Sequence, residues 1–336
     1  MKKNILILVG EVLSLHSLKP LINRFQAHPE INTIVINDGF CTDEVIKQKI
    51  DFSLVNEPFN ENVIPFLKDC CLIISGKSYK QQSELTLLKY SKQFNIPYFM
   101  ILPDIGGEIV LAKLENLISN EFMLPDKIFI ADQNSHSFLI SSGIPDEIIV
   151  PAGSPYFDEF YNLIEKQILL PKENLLVYIS TPFEYDFERG ILEADYSQKR
   201  LIREIHMASK ELGVNFVAKR HPQLNEDLFQ GMEQHDGDIV PLLIKAQVVV
   251  GSYSTGLIQG AIAGKPAVSY QPWTTNIRED IFSGIIPIAK NYSELIENLQ
   301  TAFATSHSSI RKITYNPGKS ASFIQNFVYS ELEISA

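Results

Sequence analysis

Residues 248–256, with the sequence VVVGSYSTG, decide the fold class of this chain. A β-branched apolar run ends there in a Gly/Ser/Thr turn, and a segment of small residues then leads to AGKPAV at 263–268. Short apolar runs separated in this way predict a strand, a turn, a helix and a parallel strand. The turn would present backbone N–H groups at a helix N-terminus together with the hydroxyls of Ser252, Ser254 and Thr255. It therefore predicts an anion-binding site.

Short apolar runs alternate with amphipathic segments along the rest of the chain. The runs that predict strands lie at 5–9, 33–36, 71–74, 98–102, 127–131, 148–150, 175–180, 215–218, 246–250 and 267–270. Such alternation is typical of parallel sheets that are covered by helices on both faces. The segment PAGSPYFD at 151–158 interrupts the alternation, which then restarts.

We therefore expect an α/β fold of two tandem doubly wound, Rossmann-like domains. The predicted N-terminal domain covers 1–152 and the C-terminal domain covers 153–336, with the last helix packing back on the N-terminal domain. Doubly wound domains bind ligands at the carboxyl ends of their strands. We expect the ligand site in a cleft that the two domains face.

The composition limits the compartment and the classes of partner. The net charge of the 336 residues is −11 and neither half of the chain is basic, which argues against a nucleic-acid partner. The cysteines, Cys41, Cys70 and Cys71, lack metal-ligand spacing and fit a reducing cytoplasm. The apolar run at the start is too short for a signal peptide, and no run approaches the roughly 20 apolar residues of a membrane helix. A cytoplasmic protein is expected.

The segment VAKRHP at 217–222 ends another predicted strand with three cationic or ionisable groups. His221 can donate a hydrogen bond to a phosphate or protonate a departing phosphate oxygen, and Arg220 can supply positive charge. The alternative is a solvated basic loop stiffened by Pro222. The Ser/Thr turn also has an alternative, because Ser and Thr are ordinary N-cap residues.

Three carboxylates follow predicted strands of the N-terminal half. Glu11 follows the first strand, Asp38 ends the second in the tripeptide NDG, and Asp104 follows the strand at 98–102 in PDIGGE. Each is either a turn residue or a catalytic base. We rank Asp104 first, Asp38 second and Glu11 third as the base. No group of His, Cys and Asp has metal-ligand spacing, so no metal is expected.

These features together resemble the GT-B superfamily of glycosyltransferases and related enzymes. The segment GEVLSLHSLKPL at 10–21 looks like the opening strand–turn–helix of that superfamily. The segments GIPDEIIV at 143–150 and GSPYFD at 153–158 look like its interdomain signature. The pair formed by the His-Pro at 221–222 and the turn at 252–255 is similar to motifs of bacterial sialyltransferases, and Kdo and polyol-phosphate transferases have comparable motifs.

The resemblance implies an inverting, metal-independent transferase. It would move a sugar from a nucleotide-sugar, with a CMP-activated sialic acid, related nonulosonate or Kdo first, to a glycan or lipid acceptor, without another cofactor. The donor-binding residues that it implies are Arg220, His221, Pro222, Ser252, Ser254, Thr255, Gly256 and Gln259. Gln259 stands where the superfamily commonly has a ribose-binding glutamate. Asn37 stands where the sialyltransferase acidic motif has its first acid.

Two other classes of function stay open. UDP-N-acetylglucosamine 2-epimerases share much of the outline, but Lys77 falls near their N-domain acid, and their Gly-Gly-X-Gln-Glu-Glu is replaced around 254–259. A nucleotide-sugar hydrolase belongs to the same class as the epimerase, and a non-catalytic binding protein of the same fold is the other alternative. The nucleotide base, the sugar, the acceptor, peripheral membrane association and the oligomeric state also stay open.

Overall fold

A computed structural model describes residues 2–10, 12–38, 42–47, 49–54, 61–76, 82–106, 124–167, 173–182, 196–221, 224–273, 285–305 and 312–335. The chain divides into two compact units. The first comprises Met1–Glu159 together with Ile313–Ala336, and the second comprises Phe160–Lys312. The division therefore falls a few residues beyond the expected position of 152, and the last segment of the chain groups with the first unit.

Within the described residues, the first unit holds a seven-stranded parallel sheet of order β3-β2-β1-β4-β5-β6-β7. Its strands are β1 (Lys3–Val9), β2 (Ile31–Asn37), β3 (Ser53–Leu54), β4 (Cys70–Gly76), β5 (Tyr98–Leu102), β6 (Lys127–Ile130) and β7 (Ile149–Pro151). The strand order reverses between β1 and β4, which makes this point the topological switch point of the sheet.

The described part of the second unit holds a six-stranded parallel sheet of order β10-β9-β8-β11-β12-β13. Its strands are β8 (Leu175–Ile179), β9 (Asn215–Lys219), β10 (Gln234–His235), β11 (Val248–Gly251), β12 (Ala267–Tyr270) and β13 (Ile288–Ala289). The order reverses between β8 and β11. Both sheets are therefore doubly wound, which confirms the predicted fold class.

Most of the described helices lie in the crossovers between these strands, one follows the last strand of the first sheet, and two follow the last strand of the second. They are α1 (Val12–Ala27), α2 (Thr42–Lys47), α3 (Ile64–Leu67), α4 (Gln82–Phe94), α5 (Gln133–Ser141), α6 (Pro155–Gln167), α7 (Gln198–Glu211), α8 (Ile239–Lys245), α9 (Thr255–Ile262), α10 (Tyr292–Ala304) and α11 (Ser320–Glu331). Helix α9 follows β11 directly at the switch point of the second sheet. Its amino end therefore lies at the carboxyl edge, where doubly wound domains bind ligands.

The register of the second sheet brings three strand ends to the same level. Ile179 at the end of β8 pairs with Lys219 of β9 on one side and with Gly251 of β11 on the other. The residues that follow these three strands therefore begin side by side along one edge of the sheet.

Helix α11 is part of the core of the first unit. Its Ile324 and Val328 are fully buried in the same apolar cluster as the sheet residues Ile5 and Ile7. Phe327 adds an edge-on contact with the ring of Phe129. Burying an Ile or Val side chain contributes roughly 1.5–3 kcal/mol. This packing explains why the end of the chain groups with the first unit.

The segment GSPYFD at 153–158 holds helix α11 in place. The carboxylate of Asp158 accepts hydrogen bonds from the backbone N–H groups of Ser320 (2.9 Å) and Ala321 (2.7 Å), so it caps the helix from a distant part of the sequence. Gly153 has a φ of +87°, and a Cβ there would lie 2.1 Å from the carbonyl oxygen of Tyr315. Asp158 and Gly153, which both belong to the predicted interdomain signature, therefore have a structural role within the first unit.

Candidate functional site

The predicted donor-binding residues of the second unit lie along one edge of its sheet. His221 follows β9, and the turn from Ser252 to Thr255 follows β11. Strand β8 lies between β9 and β11, so their axes are about 10 Å apart. The structure therefore brings the two motifs to the same edge and separates them by the end of β8, with Ser180 and Thr181. Pro222 lies outside the described residues.

The turn after β11 starts helix α9 with an ordinary cap. Ser254 is the N-cap residue, and its Oγ accepts a hydrogen bond from the N–H of Gly256 at 3.2 Å. Thr255 is exposed and Gln259 is half-buried. A Cβ at Gly256 would lie 2.8 Å from Cγ2 of Ile179, so this glycine lets the helix pack closely on the end of β8.

Ser252 combines a fixed backbone with an unpartnered hydroxyl. Its carbonyl oxygen accepts a hydrogen bond from the hydroxyl of Ser269, which in turn accepts one from Nε2 of Gln271 at 2.9 Å. The residue is only 1% exposed, and among the residues that the structure describes its Oγ has no hydrogen-bond partner. Buried hydroxyls are normally paired, because an unpaired one loses its bonds to water without replacement. This hydroxyl is therefore a candidate for a hydrogen bond to a group that the described residues do not supply.

Thr181 repeats this arrangement at the end of β8. It is 8% exposed, and its Oγ1 has no partner within the described part of the chain. The sequence analysis did not select this residue. The only signal for it was the pair of hydroxyl residues, Ser180 and Thr181, that follows the apolar run of β8 directly.

The loop after β9 is tied to the end of β8 through Ser180. The Oγ of Ser180 donates a hydrogen bond to the carbonyl oxygen of Lys219 (2.9 Å) and accepts one from the N–H of His221 (2.7 Å). The backbone N–H of Ser180 also donates to the Lys219 carbonyl at 3.1 Å. These bonds fix the backbone of His221, whose side chain is half-buried.

Arg220 is bonded to neighbouring residues of the second unit, and its expected contact with a ligand stays a prediction. Its Nε donates to Asp236 at 3.0 Å, its Nη2 to Glu226 at 3.2 Å, and its Nη1 to the carbonyl oxygen of Leu224 at 2.9 Å. The hydrogen bond from Arg220 holds the pKa of Asp236 below its ordinary value. Burial lowers the pKa of the neighbouring Lys219. The charge of Arg220 is thus largely balanced, and the side chain orders the loop.

The first unit does not bring its candidate carboxylates together. Asp38 follows β2 and Asp104 follows β5, and β1 and β4 lie between these strands, so their axes are about 14 Å apart. Asp38 is only 6% exposed and accepts a hydrogen bond from the Oγ of Ser83 at 3.1 Å. Asp104 is half-buried. Glu11 lies outside the described residues.

Other polar residues at this edge serve the loops themselves. Asn37 donates from Nδ2 to the carbonyl oxygen of Val9 (2.9 Å) and accepts from Oγ1 of Thr42 (2.9 Å), so it joins β1, β2 and the start of α2. Asp132 is the N-cap of α5, and its Oδ2 also accepts a hydrogen bond from the N–H of Gly106 at 3.2 Å. That contact anchors the loop that carries Asp104.

A buried acid that the sequence analysis missed lies in the first turn of α4. Glu84 is 1% exposed and is next in sequence to Ser83, the partner of Asp38. Burial and the charge of Glu84 raise the pKa of the fully buried Tyr98, whose hydroxyl donates to Oγ of Ser75 at 2.7 Å. In the sequence Glu84 is indistinguishable from an exposed helix residue, because nothing local marks its side of the helix as buried.

Within the described residues, no group of three or more His, Cys, Asp or Glu side chains is arranged to hold a metal ion. None of the described helices combines the length and the apolar character that crossing a membrane requires.

Comparison with known proteins gives matches at the level of structure. No protein-family model matches this chain, and no curated protein matches it in sequence. A putative UDP-N-acetylglucosamine 2-epimerase from Listeria monocytogenes is similar, with a TM-score of 0.72, 13% identity and coverage of 100% of this chain and 98% of the other. The UDP-GlcNAc 2-epimerase from Neisseria meningitidis, bound to UDP-GlcNAc, has a TM-score of 0.70 and 15% identity, covering 97% and 100%.

The wall teichoic acid polymerase TagF is a more distant match. Its TM-score is 0.58 at 14% identity, over 99% of this chain and 89% of the polymerase chain. Identities of 11–15% across these neighbours show a shared fold and leave the activity to be argued from the site. The chain therefore has the two-unit, GT-B-like fold that these epimerases and the polymerase share.

Proposed function

We propose that this chain is an enzyme that acts on a nucleotide-activated sugar, with the phosphate of the nucleotide at the carboxyl edge of the second sheet. The observation that carries the proposal is the buried hydroxyl of Ser252, three residues before the start of helix α9, which has no partner among the residues that the structure describes. The fold adds support. Structures with the same fold are described as a UDP complex of MnaA from S. aureus and as an epimerase bound to UDP-GlcNAc.

The chemistry of this edge suits a phosphate. The first N–H groups of a helix lack intrahelical partners, and the helix dipole places roughly half a positive charge at that end. The hydroxyls of Ser252 and Thr181 are donors of the kind that phosphate oxygens accept. His221 would stabilise or protonate the departing phosphate oxygen, and Arg220 would act by holding the loop rather than by contacting the phosphate.

Glycosyl transfer is the first candidate reaction, with the donor types named above, CMP-activated sialic acid, nonulosonate or Kdo. In an inverting displacement a base removes the proton of an acceptor hydroxyl, the acceptor oxygen attacks the anomeric carbon, and the nucleotide phosphate leaves with the bonding electrons. We propose Asp104 as this base ahead of Asp38, because Asp38 is nearly buried and accepts a bond from Ser83. Glu11 remains the third candidate.

Epimerisation or hydrolysis of a UDP-sugar is the second candidate. It is favoured by the higher similarity of the epimerases, whose TM-scores reach 0.72 with nearly full coverage of both chains, against 0.58 for the polymerase. The two reactions differ in one requirement, since epimerisation and hydrolysis proceed without an acceptor and transfer does not.

A thermal-shift screen with CMP, CDP, UDP and GDP tests the first requirement of the proposal, which is that the protein binds a nucleotide. A nucleotide at 100 times its Kd should stabilise the folded protein by about 2.7 kcal/mol. The corresponding nucleotide-sugar is then followed by NMR without an acceptor. A change in the sugar without an acceptor favours epimerisation or hydrolysis. A nucleotide-sugar that stays unchanged without an acceptor and is consumed when glycan acceptors are added favours transfer. A protein that no nucleotide stabilises would contradict the proposal.

His221→Ala tests the site in the same assay. Removing one group that stabilises charge at a reacting centre commonly costs about 10²–10³ in rate. We expect such a loss of turnover with little change in melting temperature. His136→Asn is the matched control, because His136 belongs to the first unit, where its Nε2 contacts the exposed Asp146.

A further inference from the structure

Ser180 follows β8, and its hydroxyl both donates and accepts a hydrogen bond. It donates to the carbonyl oxygen of Lys219 at 2.9 Å and accepts the N–H of His221 at 2.7 Å. A hydroxyl has a single proton, so donation to Lys219 leaves a lone pair directed at His221. The residue is 3% exposed, which keeps water from replacing either bond.

The backbone of His221 is held at both of its polar groups. The N–H is bound by Ser180, and the carbonyl oxygen accepts a hydrogen bond from the N–H of Leu224 at 3.0 Å. The preceding residue is fixed as well, because the guanidinium of Arg220 contacts Asp236 and Glu226. The position of His221 is thus set by two anchors, of which only Ser180 belongs to the neighbouring strand end.

This anchor links the two sides of the candidate site. Ser180 follows β8, and Thr181, with its unpartnered hydroxyl, is the next residue. The same turn therefore carries the Thr181 hydroxyl as a candidate donor to the ligand, and through Ser180 it fixes the distance from that hydroxyl to the backbone of His221. A catalytic group that is displaced by about 1 Å can lose as much as 10²-fold in rate, so such an anchor has a functional consequence.

We propose that Ser180 is a positioning residue for His221. Ser180 affects the nucleotide phosphate by fixing the geometry of the histidine, and it does not touch the ligand itself. The inference rests on the proposed function. It requires a side chain at position 180 that both donates and accepts a hydrogen bond, a condition that Ser and Thr meet and Ala does not.

The test compares Ser180→Ala with Ser180→Thr and with Ser209→Ala. Ser209 is the matched control, because it is buried in the second unit as well and, within the described residues, its hydroxyl donates to the carbonyl oxygen of His206 in its own helix. The measurements are the backbone amide NMR shift of His221 without ligand, the pH dependence of kcat, and the Kd of the nucleotide that binds best in the screen.

We expect Ser180→Ala to move the His221 amide resonance, to lower kcat by about 10- to 100-fold and to shift its pH profile, with the Kd changed less than about threefold. Ser180→Thr should restore kcat, and Ser209→Ala should resemble the parent in all three. Should Ser180→Thr not fold, the amide shift in Ser180→Ala still decides whether the anchor exists.

Three results would overturn the inference. The first is an unmoved His221 amide with unchanged kcat in Ser180→Ala. The second is a loss of nucleotide affinity as large as that of His221→Ala, which would make Ser180 a ligand contact. The third is equal effects of Ser180→Ala and Ser209→Ala. If the parent protein binds no nucleotide, the proposed function fails, and the amide shift still reports separately on the contact between Ser180 and His221.

Discussion

The carboxyl edges of the two sheets have the same topology and different polar chemistry. At the first edge, the side chains of Asn37, Asp38 and Asp132 are all bonded to neighbouring loops or helices. At the second edge, Ser252 and Thr181 are buried, and among the described residues their hydroxyls have no partner. Satisfied polar groups stabilise loops, whereas unsatisfied ones are a cost that a ligand can remove. The hydroxyl of Ser14 in α1 of the first unit is also buried without a partner among the described residues, so the contrast rests on two such hydroxyls that follow neighbouring strands of the second sheet. We propose the second edge as the ligand site on that ground.

The largest effect is expected from substitutions of the acids at the first edge, which test the contrast between the two edges. Asp104→Asn should lower turnover by about 10²–10⁴ and leave nucleotide affinity nearly unchanged, as the loss of a general base does. Asp38→Asn should keep most of the turnover, because the carboxylate of Asp38 is bonded to Ser83. Steady-state kinetics of the two isosteric variants decide between them. A larger loss of turnover in Asp38→Asn than in Asp104→Asn would support Asp38 as the catalytic base, the role that its sequence motif implies.

The packing at the first switch point gives the next largest effect. A Cβ at Gly76 would lie 2.0 Å from Oγ and 2.8 Å from Cβ of Ser14 in helix α1. Gly76→Ala should therefore lower the free energy of unfolding by about 1–3 kcal/mol, the usual cost of overpacking.

Urea unfolding of a double-mutant cycle checks the cause of this loss. In a Ser14→Ala background the shortest contact is absent, so the cost of Gly76→Ala should be smaller there. Strictly additive losses would show that helix α1 does not pack against the end of β4 in this way.

The acid that caps helix α11 predicts a pH dependence. Burial is the main cause that raises the pKa of Asp158, and the N–H groups of Ser320 and Ala321 partly oppose it. A group whose pKa is raised on folding contributes stability that is complete at low pH and lost as the pH rises through the folded-state pKa.

Asp158→Asn does not titrate, so it serves as the reference for this effect. The free energy of unfolding of the parent relative to this variant should fall as the pH rises above 3.8, the ordinary pKa of the group. Urea unfolding across this pH range measures the difference. A constant or rising difference would contradict the assigned direction.

The smallest effect is expected for Arg220. Its guanidinium is already bonded to Asp236, Glu226 and the carbonyl oxygen of Leu224. We expect Arg220→Lys to change nucleotide affinity by less than about threefold, in keeping with the modest energies of partly exposed ion pairs. Isothermal titration is the measurement. A tenfold or larger loss would mean that Arg220 leaves these partners to contact the ligand.

The sequence predicted the parts of this molecule that depend on local pattern. Short apolar runs separated by amphipathic segments identified most of the strands, and the run 248–251 with its Ser/Thr turn identified β11 and the amino end of α9. These features follow from the periodicity of buried strands and from capping chemistry, both of which act over a few residues.

The parts that the sequence did not predict depend on contacts between distant residues. Asp158 caps a helix 162 residues further along the chain, and Ser180 binds the N–H of a residue 41 positions away. The partners of Arg220 lie 4, 6 and 16 positions further along the chain, and no local pattern identified them. Thr181 carries no motif, and only its burial without a partner marks it.

The most direct test of the account is Ser252→Ala, measured for both stability and nucleotide binding. Replacing this buried hydroxyl should leave the melting temperature unchanged or raise it, because the described residues form no hydrogen bond with it that could be lost. The Kd of the best-binding nucleotide should increase by about tenfold or more, the cost of one hydrogen bond to a charged group. Ser209→Ala should leave that Kd unchanged. A destabilised Ser252→Ala protein with unaltered nucleotide affinity would contradict the assignment of the second edge as a phosphate site.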